Sequence, residues 1–98
     1  MTSELEDKFA NLCGTKSVRG CFILNEHGAA IKSSMDAKTT EFHANTLHDV
    51  ISYTRKAFTS ADPSNEVTFM QYRTKKHDIM VARDKQFVLV VLHHPQEA

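Results

Sequence analysis

The stretch Phe87-Val88-Leu89-Val90-Val91-Leu92 decides the fold, because all six of its residues are apolar. A strand with one face in water alternates apolar and polar residues, whereas a continuous apolar run is typical of a strand buried on both faces. We therefore expect this last strand of the chain to lie at the centre of a sheet, with other elements covering both of its faces.

Five strands are expected in all, namely Val18–Asn25, Ala29–Ser34, Glu66–Arg73, His77–Ala82 and Gln86–His93. The first two form a hairpin around Gly28, which can take the positive φ of a tight turn. Gly20 predicts a bulge or a close backbone approach. Short links between the last three strands favour an antiparallel meander. Since the apolar first strand is the best neighbour for the fifth, the predicted strand order is 2-1-5-4-3.

Two helices complete the predicted fold. Four residues share one face of a short N-terminal helix, namely Leu5, Phe9, Leu12 and Cys13. Asp36 or Thr39 can cap a long helix that runs to about Ser60, where Asp62-Pro63 ends it. The chain is therefore predicted to be a single domain, residues 1–98. Its expected fold is α/β in the broad sense (α+β), a five-stranded, mainly antiparallel sheet in the element order α-β-β-α-β-β-β.

The long helix carries two adjacent apolar stripes. One contains Leu47, Ile51, Thr54 and Phe58, and the other contains Thr46, Val50, Tyr53 and Ala57. One sheet face needs about one such stripe. We therefore expect the second stripe to meet another partner.

The predicted third strand, Glu66–Arg73, lies at an edge of the sheet and contains no proline. An apolar edge of this length is a pairing site unless something covers it. A two-fold homodimer that pairs these edges and packs the long helices would cover the edge and the second stripe together; the alternative is a monomer that tolerates the open edge. The predicted dimer interface comprises Thr46, Val50, Tyr53, Ala57, Val67, Thr68, Phe69, Met70 and Gln71.

Composition excludes several classes of protein. The chain has 12 Lys and Arg residues against 12 Asp and Glu residues, without the basic excess typical of nucleic-acid binders. Its acidic start differs from a secretory leader, and its longest apolar run is far shorter than the roughly 20 residues that span a membrane. We therefore expect a soluble, cytoplasmic protein that binds neither nucleic acid nor membrane. Cys13 and Cys21 could pair, but in that compartment we expect reduced, buried core residues.

The sequence contains no recognisable catalytic site. Three widely spaced glycines cannot form a phosphate-binding loop. The histidines and cysteines lack metal-ligand spacing, so we expect no metal, no cofactor and no enzymatic activity. A triad assembled from distant Ser, His and Asp residues stays open.

Two turns of the meander are rich in basic residues. One contains Arg73, Lys75, Lys76 and His77, and the next contains Arg83 and Lys85. Successive turns of a meander lie at opposite ends of the sheet, so the two groups should not merge. We interpret them as solvated turns, with an acidic partner segment at one end as the alternative.

Several motifs resemble the roadblock family of dynein light chains. Asn25–Asp36 (NEHGAAIKSSMD) is similar to the family's first hairpin. The later motifs that follow its pattern are Asp62–Phe69 (DPSNEVTF), Arg73–Ala82 (RTKKHDIMVA), Asp84-Lys85 and Pro95. The resemblance extends from about Val18 to Pro95. It departs at Arg83, where the dynein members carry proline, and at His94, where they carry asparagine.

This resemblance implies a roadblock, profilin-like fold that dimerises through the third strand and the long helix and has no active site. It further implies a non-catalytic light chain that binds the dynein intermediate chain and supports microtubule-based transport or ciliary beating. The expected location is the cytoplasm, at the cytoskeleton, or a cilium or flagellum. A mixed dimer with a paralogue is compatible with this interpretation. The alternative function is that of other branches of the family, which scaffold or regulate small Ras-like GTPases.

A mechanism for binding the intermediate chain follows from the apolar fifth strand. The short first helix should not cover one whole face of the sheet, so an uncovered strip could receive an amphipathic segment. The predicted partner-binding residues are Leu5, Phe9, Leu12, Val88, Val90 and Leu92.

Overall fold

The computed structural model describes residues 3–95. Its elements are α1 (Ser3–Cys13), β1 (Val18–Leu24), β2 (Ala30–Ser33), α2 (Ala37–Ala61), β3 (Phe69–Arg73), β4 (Asp78–Asp84) and β5 (Phe87–His93). The acidic N-terminal segment, which differs from a secretory leader, begins with two residues that lie outside this range. Between residues 3 and 95, no helix is both long enough and apolar enough to cross a membrane.

The five strands form one antiparallel sheet in the order β2-β1-β5-β4-β3. This confirms the predicted α+β fold and its strand order. The apolar β5 lies at the centre, where Val90 pairs with Phe22 of β1 on one side and Val81 of β4 on the other. All three side chains are buried, as expected for residues that point to the same face of a sheet.

One face of the sheet, here called the α2 face, is covered by α2. Its core contains Phe22, Leu24, Ile79, Val81, Val90 and Leu92 from the strands and Ala44, Leu47 and Ile51 from α2. Leu47 and Ile51 confirm that part of the predicted sheet-facing stripe, and Ala44, which was not predicted, extends it by helical spacing.

The opposite face, the α1 face, is covered by α1 over β1 and β5. Leu5 and Phe9 of the helix pack on strand residues that alternate with those of the α2 face, namely Cys21, Ile23, Leu89 and Val91. Phe9 also lies beneath Lys32, whose ammonium group is 5.2 Å from the ring centroid. Each face therefore has its own helix and its own core.

The cysteine prediction was partly wrong. Cys21 is fully buried, as expected, but a disulfide joins it to Cys13, with the two Cα atoms 6.1 Å apart. The physical reason is the packing of α1: the stripe that places Leu5 and Phe9 on the sheet also brings the last residue of the helix against β1. The disulfide thus fastens the end of α1 to the strand it covers.

The limits of α2 confirm the predicted caps. The Asp36 carboxylate accepts a hydrogen bond from the Thr39 amide at 2.7 Å, and Asp62 is the C-terminal cap. The assignment of Phe58 to the sheet-facing stripe was wrong, because its side chain is 50% exposed. A helix of 25 residues is about 37 Å long, and it runs past the sheet after Thr54, whose hydroxyl lies 3.5 Å from that of Tyr72.

The strands of the meander start and stop at slightly different residues than predicted. β3 begins at Phe69 rather than Glu66, because its ladder with β4 begins at the pair Phe69–Ala82; one residue earlier, the Thr68 carbonyl still accepts a hydrogen bond from the Arg83 amide. β4 starts one residue later than predicted and continues through Asp84, so the turn before β5 contains Lys85, which has φ 59°. β1 ends one residue earlier than predicted, β2 is one residue shorter at each end, and β5 begins one residue later.

The two glycine predictions are confirmed. Gly28 has φ 85° in the hairpin turn, a conformation that costs other residues energy. At Gly20 the register of β1 against β5 shifts, and an added Cβ would lie 2.6 Å from Cγ of Met35. A side chain at residue 20 would therefore displace Met35, which packs against the α2-face core.

Candidate protein-interaction site

An apolar stripe on the solvent side of α2 is the most exposed hydrophobic feature of the molecule. The exposed α2 stripe contains Phe42, Thr46, Val50, Tyr53 and Ala57. Phe42 is 66% exposed and Tyr53 is 78% exposed, and large apolar groups grouped in this way typically mark an interaction site. The Thr46 hydroxyl donates to the Phe42 carbonyl at 3.0 Å, which satisfies its polar group within the helix.

Four residues of this stripe were predicted from the sequence, and Phe42 was missed. It lies four residues before Thr46, one helical turn away on the same face. Extending the predicted stripe backwards by one turn would have found it.

The β3 edge of the sheet is open among the described residues, as the predicted strand order requires. The Arg83 amide of β4 donates to the Thr68 carbonyl at 3.1 Å. Backbone groups alternate in direction along a strand, so the N–H and C=O of Gln71 point away from β4, toward the edge. This edge can accept another strand.

The side chains of β3 divide between the two sheet faces. Met70 and Tyr72 pack against the α2-face core, and the Tyr72 hydroxyl donates to the Met70 sulfur at 3.3 Å. Phe69 points to the α1 face and is 50% exposed. Val67 and Thr68, also predicted at the interface, precede β3. The edge therefore offers backbone groups and the Phe69 ring rather than the Met70 side chain.

The helix stripe and the edge are neighbours. Thr54, next to Tyr53 in α2, has its hydroxyl 3.5 Å from that of Tyr72 in β3. The structure thus brings the two predicted parts of the dimer interface to the same side of the molecule. Their role in a dimer stays a prediction.

The six predicted partner-binding residues do not form one surface. Leu5, Phe9 and Leu12 lie on the α1 face, whereas Val88, Val90 and Leu92 lie on the α2 face. The idea of a single strip made of all six is therefore wrong, because alternate residues of β5 point to opposite faces. Leu5, Phe9, Val90 and Leu92 are also buried, so a partner could not reach them without unfolding.

A different strip is open on the α1 face, beside α1. We call it the open strip; it comprises Phe69, Met80, Ala82 and Phe87. Phe69 pairs with Ala82, and Ala82 pairs with Leu89 of the α1-face core. Phe69 lies on β3, Met80 and Ala82 lie on β4, and Phe87 is the first residue of β5. Because α1 packs on residues further along β5 and on β1, these four residues are half-buried or exposed.

The histidines do not assemble into a catalytic or metal site. Within residues 3–95, no three or more His, Cys, Asp or Glu side chains are grouped so as to hold a metal ion. The Ser17 hydroxyl lies 3.4 Å from Nδ1 of His93, but Nε2 of His93 faces the sulfur of Met80 at 3.1 Å. A catalytic triad would need a carboxylate at that position.

Two other histidines lie ring against ring. The centroids of His43 on α2 and His77 in the β3–β4 turn are 5.3 Å apart. Burial lowers the pKa of His43 below its usual value of 6.5, and the nearby His77 lowers it further. Both effects favour the uncharged imidazole, which suits the half-buried position of His43 against a second ring.

Comparisons with known proteins agree with this fold. A family model described as the Roadblock/LC7 domain matches residues 4–93. A Roadblock/LC7 domain from Streptomyces avermitilis superimposes with a TM-score of 0.78 at 14% identity, covering 90% of this chain and 76% of that one. MglB of Myxococcus xanthus superimposes with a TM-score of 0.66 at 19% identity, covering 93% of this chain and 79% of that one. The match to the family model over almost the whole described range shows that this chain belongs to the Roadblock/LC7 domain family.

Proposed function

We propose that this protein is a non-catalytic, homodimeric light chain of a dynein motor, which binds the intermediate chain and supports microtubule-based movement. The observation that carries the proposal is the exposed α2 stripe next to the open β3 edge. The DPSNEVTF and RTKKHDIMVA motifs, which resemble the dynein branch of the family, favour this branch. The expected location is the cytoplasm, at the cytoskeleton, or a cilium.

In the proposed dimer, the β3 edges of two copies pair antiparallel across a two-fold axis. Gln71 contributes backbone hydrogen bonds to this pairing, and the exposed α2 stripes of the two copies pack together above it. Burial of Phe42 and Tyr53 removes large apolar groups from water, worth about 25 cal/mol per Å² of buried apolar surface. One interface then covers both the open β3 edge and the exposed α2 stripe, which are unfavourable in a monomer.

The open strip is the proposed binding site for the intermediate chain. Pairing of the β3 edges would join the open strips of the two copies into one continuous sheet surface, with an α1 helix at each side. An amphipathic helix of the intermediate chain could lie there, parallel to the sheet, and bury Phe69 and Phe87. The two-fold repeat would offer places for two intermediate chains, so that linkage raises the effective affinity.

The dimer is tested by a substitution at Gln71 that removes the backbone N–H facing the proposed partner strand. Gln71→Pro removes the N–H that would pair with the partner strand but keeps the β3–β4 hydrogen bonds. We expect a folded monomer by light scattering and circular dichroism. Gln71→Ala changes the same side chain and keeps the N–H, so it should stay dimeric. A Gln71→Pro protein with unchanged dimer mass would show that the edge is not the interface.

Intermediate-chain binding is tested by titration of a labelled peptide from the light-chain-binding region of a dynein intermediate chain. We expect a Kd of about 10 µM or tighter, and at least a tenfold loss, about 1.4 kcal/mol, in Phe87→Ser. Phe58→Ser, in α2 rather than on the α1 face, is the control. Absence of binding, together with capture of a small Ras-like GTPase, would contradict the dynein assignment and favour the GTPase branch.

A further inference from the structure

Three separate segments bring basic residues to one end of the sheet. The loop before β1, the β3–β4 turn and the end of β5 meet there. The His94 amide donates to the Ser17 carbonyl at 3.0 Å, and Nη1 of Arg19 donates to the Lys76 carbonyl at 3.5 Å. We call this region the basic end; its cations are Lys16, Arg19, Arg73, Lys75 and Lys76. All five are exposed.

The basic end is far more charged than the molecule as a whole. Segments 15–19, 73–78 and 93–94 carry five cations against one carboxylate, a net formal charge of +4, whereas the complete chain carries none. The carboxylate is Asp78, which is only 5% exposed and lies 4.0 Å from Nε of Arg73. Lys16, Lys75 and Lys76 form no ion pair with any carboxylate of the described range.

The prediction from the sequence missed this concentration of charge. It correctly separated the turn at Lys75 from the turn at Lys85, which lie at opposite ends of the sheet. It did not foresee that Lys16, in the loop before β1, and Arg19, near the start of β1, would join the first turn. That juxtaposition depends on the pairing of β1 with β5 and of β5 with β4.

The backbone beneath the cations is held in place. In the β3–β4 turn, the Thr74 amide donates to the His77 carbonyl at 3.1 Å, and the His77 amide donates to the Thr74 hydroxyl at 3.1 Å. Lys75 and Lys76 lie at the tip of this turn. Because little backbone freedom is lost on binding, charged contacts here cost less entropy than they would on a mobile loop.

We propose that the basic end is a docking site for an acidic segment of a partner protein, rich in Asp, Glu or phosphorylated residues. Lys16, Lys75 and Lys76 supply positive charge that carboxylate and phosphate groups complement, and Arg19 and Arg73 add to it. This site is separate from the exposed α2 stripe, and it does not depend on the dynein assignment.

The shape and charge of the basic end favour a peptide over other polyanions. Binding to a nucleic acid uses a long basic surface, usually on a protein with net positive charge, whereas here the charge is confined to one end of a neutral chain. Stable membrane attachment needs a second anchor besides basic residues, and the large exposed apolar groups lie elsewhere, on α2, β2 and Phe69. A short acidic segment needs neither.

The proposal is tested on the full chain with a fluorescent peptide of alternating Glu and Ser, followed by anisotropy at low salt. The variant K75E/K76E should weaken binding by about tenfold or more, since two attractive charges become repulsive. The matched control is K56E/K85E, which changes net charge equally at exposed lysines outside the basic end. Light scattering and circular dichroism verify that both variants keep the fold and mass of the parent protein.

The expected result is a large loss in K75E/K76E, a change of less than about twofold in K56E/K85E, and weaker binding as salt shortens the Debye length. Equal losses in both variants would overturn the proposal, because net charge alone would then explain the binding. Tighter binding to phosphatidylserine vesicles, or to single-stranded RNA of matched charge, would also overturn it in favour of a membrane or nucleic-acid surface. If the parent protein does not bind the peptide at low salt, the proposal is also overturned.

Discussion

The two faces of the sheet are covered in different ways. On the α2 face, a helix of 25 residues lies across the strands, and its first turn is capped by Asp36. On the α1 face, a helix of 11 residues covers only β1 and β5, and a disulfide fastens its last residue. Helices shorter than about 12 residues are marginal by themselves. The comparison teaches that the short helix is held by a small apolar core and a covalent link, and that its length determines which part of the face stays open.

The largest expected effect is loss of a core ring on the α2 face. Phe22 is fully buried between β5 and α2, so Phe22→Ala should lower the free energy of unfolding by about 3–5 kcal/mol. Urea denaturation measures the change. Phe58→Ala is the control, and because that ring lies on the overhanging end of α2, it should cost less than about 0.5 kcal/mol. If the two substitutions lower the free energy of unfolding by similar amounts, Phe58 packs in the core after all.

The disulfide should stabilise the α1 face specifically. A cross-link between residues eight apart in sequence is expected to contribute about 2–3 kcal/mol to the free energy of unfolding. Cys13→Ala should lose this amount, and a reducing agent should then have no further effect on the variant. Hydrogen exchange should rise in α1 and stay unchanged in α2. Faster exchange in both helices would mean that the two faces are not independent.

Neighbouring valines on β5 give a matched test of the two faces. Val90 points to the α2 face and Val91 to the α1 face, and both are buried. Each change to Ala should cost about 1–3 kcal/mol in the oxidised protein. After reduction of the disulfide, the cost of Val91→Ala should fall while that of Val90→Ala stays constant. Equal behaviour under reduction would contradict the role of the disulfide in packing α1.

The smallest expected effect is at the capped end of α2 and depends on pH. Hydrogen bonds from Thr39 lower the pKa of Asp36 below its usual value of 3.8. The charged cap therefore stabilises the fold above this value, and the benefit is lost as pH falls through the lowered pKa. Asp36→Ala should melt at a lower temperature than the parent protein at pH 7, and the difference should disappear in strong acid. A difference independent of pH would show that the charge is unimportant.

Much of the fold could be predicted because local sequence patterns specify it. The uninterrupted apolar run from Phe87 to Leu92 predicted the central strand, and Asp36 and Asp62 predicted the limits of α2. The start of β3 could not be predicted in this way. It depends on where pairing with β4 begins, at Phe69 opposite Ala82, and no local pattern in residues 66–69 specifies that partner.

The candidate site was predictable where helical spacing or strand order specifies it, as at the exposed α2 stripe and the open β3 edge. Four residues of the exposed α2 stripe follow from helical spacing alone. The open strip and the disulfide depend on where α1 lies on the sheet, which no local pattern specifies. Assigning Val90 and Leu92 to the same surface as Leu5 failed for a related reason, because both faces of β5 are apolar and the sequence does not say which helix covers which.

The basic end should affect how the protein is oriented when it encounters a binding partner. A chain with equal numbers of acidic and basic groups, but with five of its 12 Lys and Arg residues at one end of the sheet, should have a dipole moment directed toward that end. It should turn in the field of a negatively charged neighbour and arrive with Lys75 and Lys76 foremost, which raises the fraction of productive collisions. At low ionic strength it should also be retained by a cation-exchange resin at its isoelectric pH, and elute as soon as added salt screens that end.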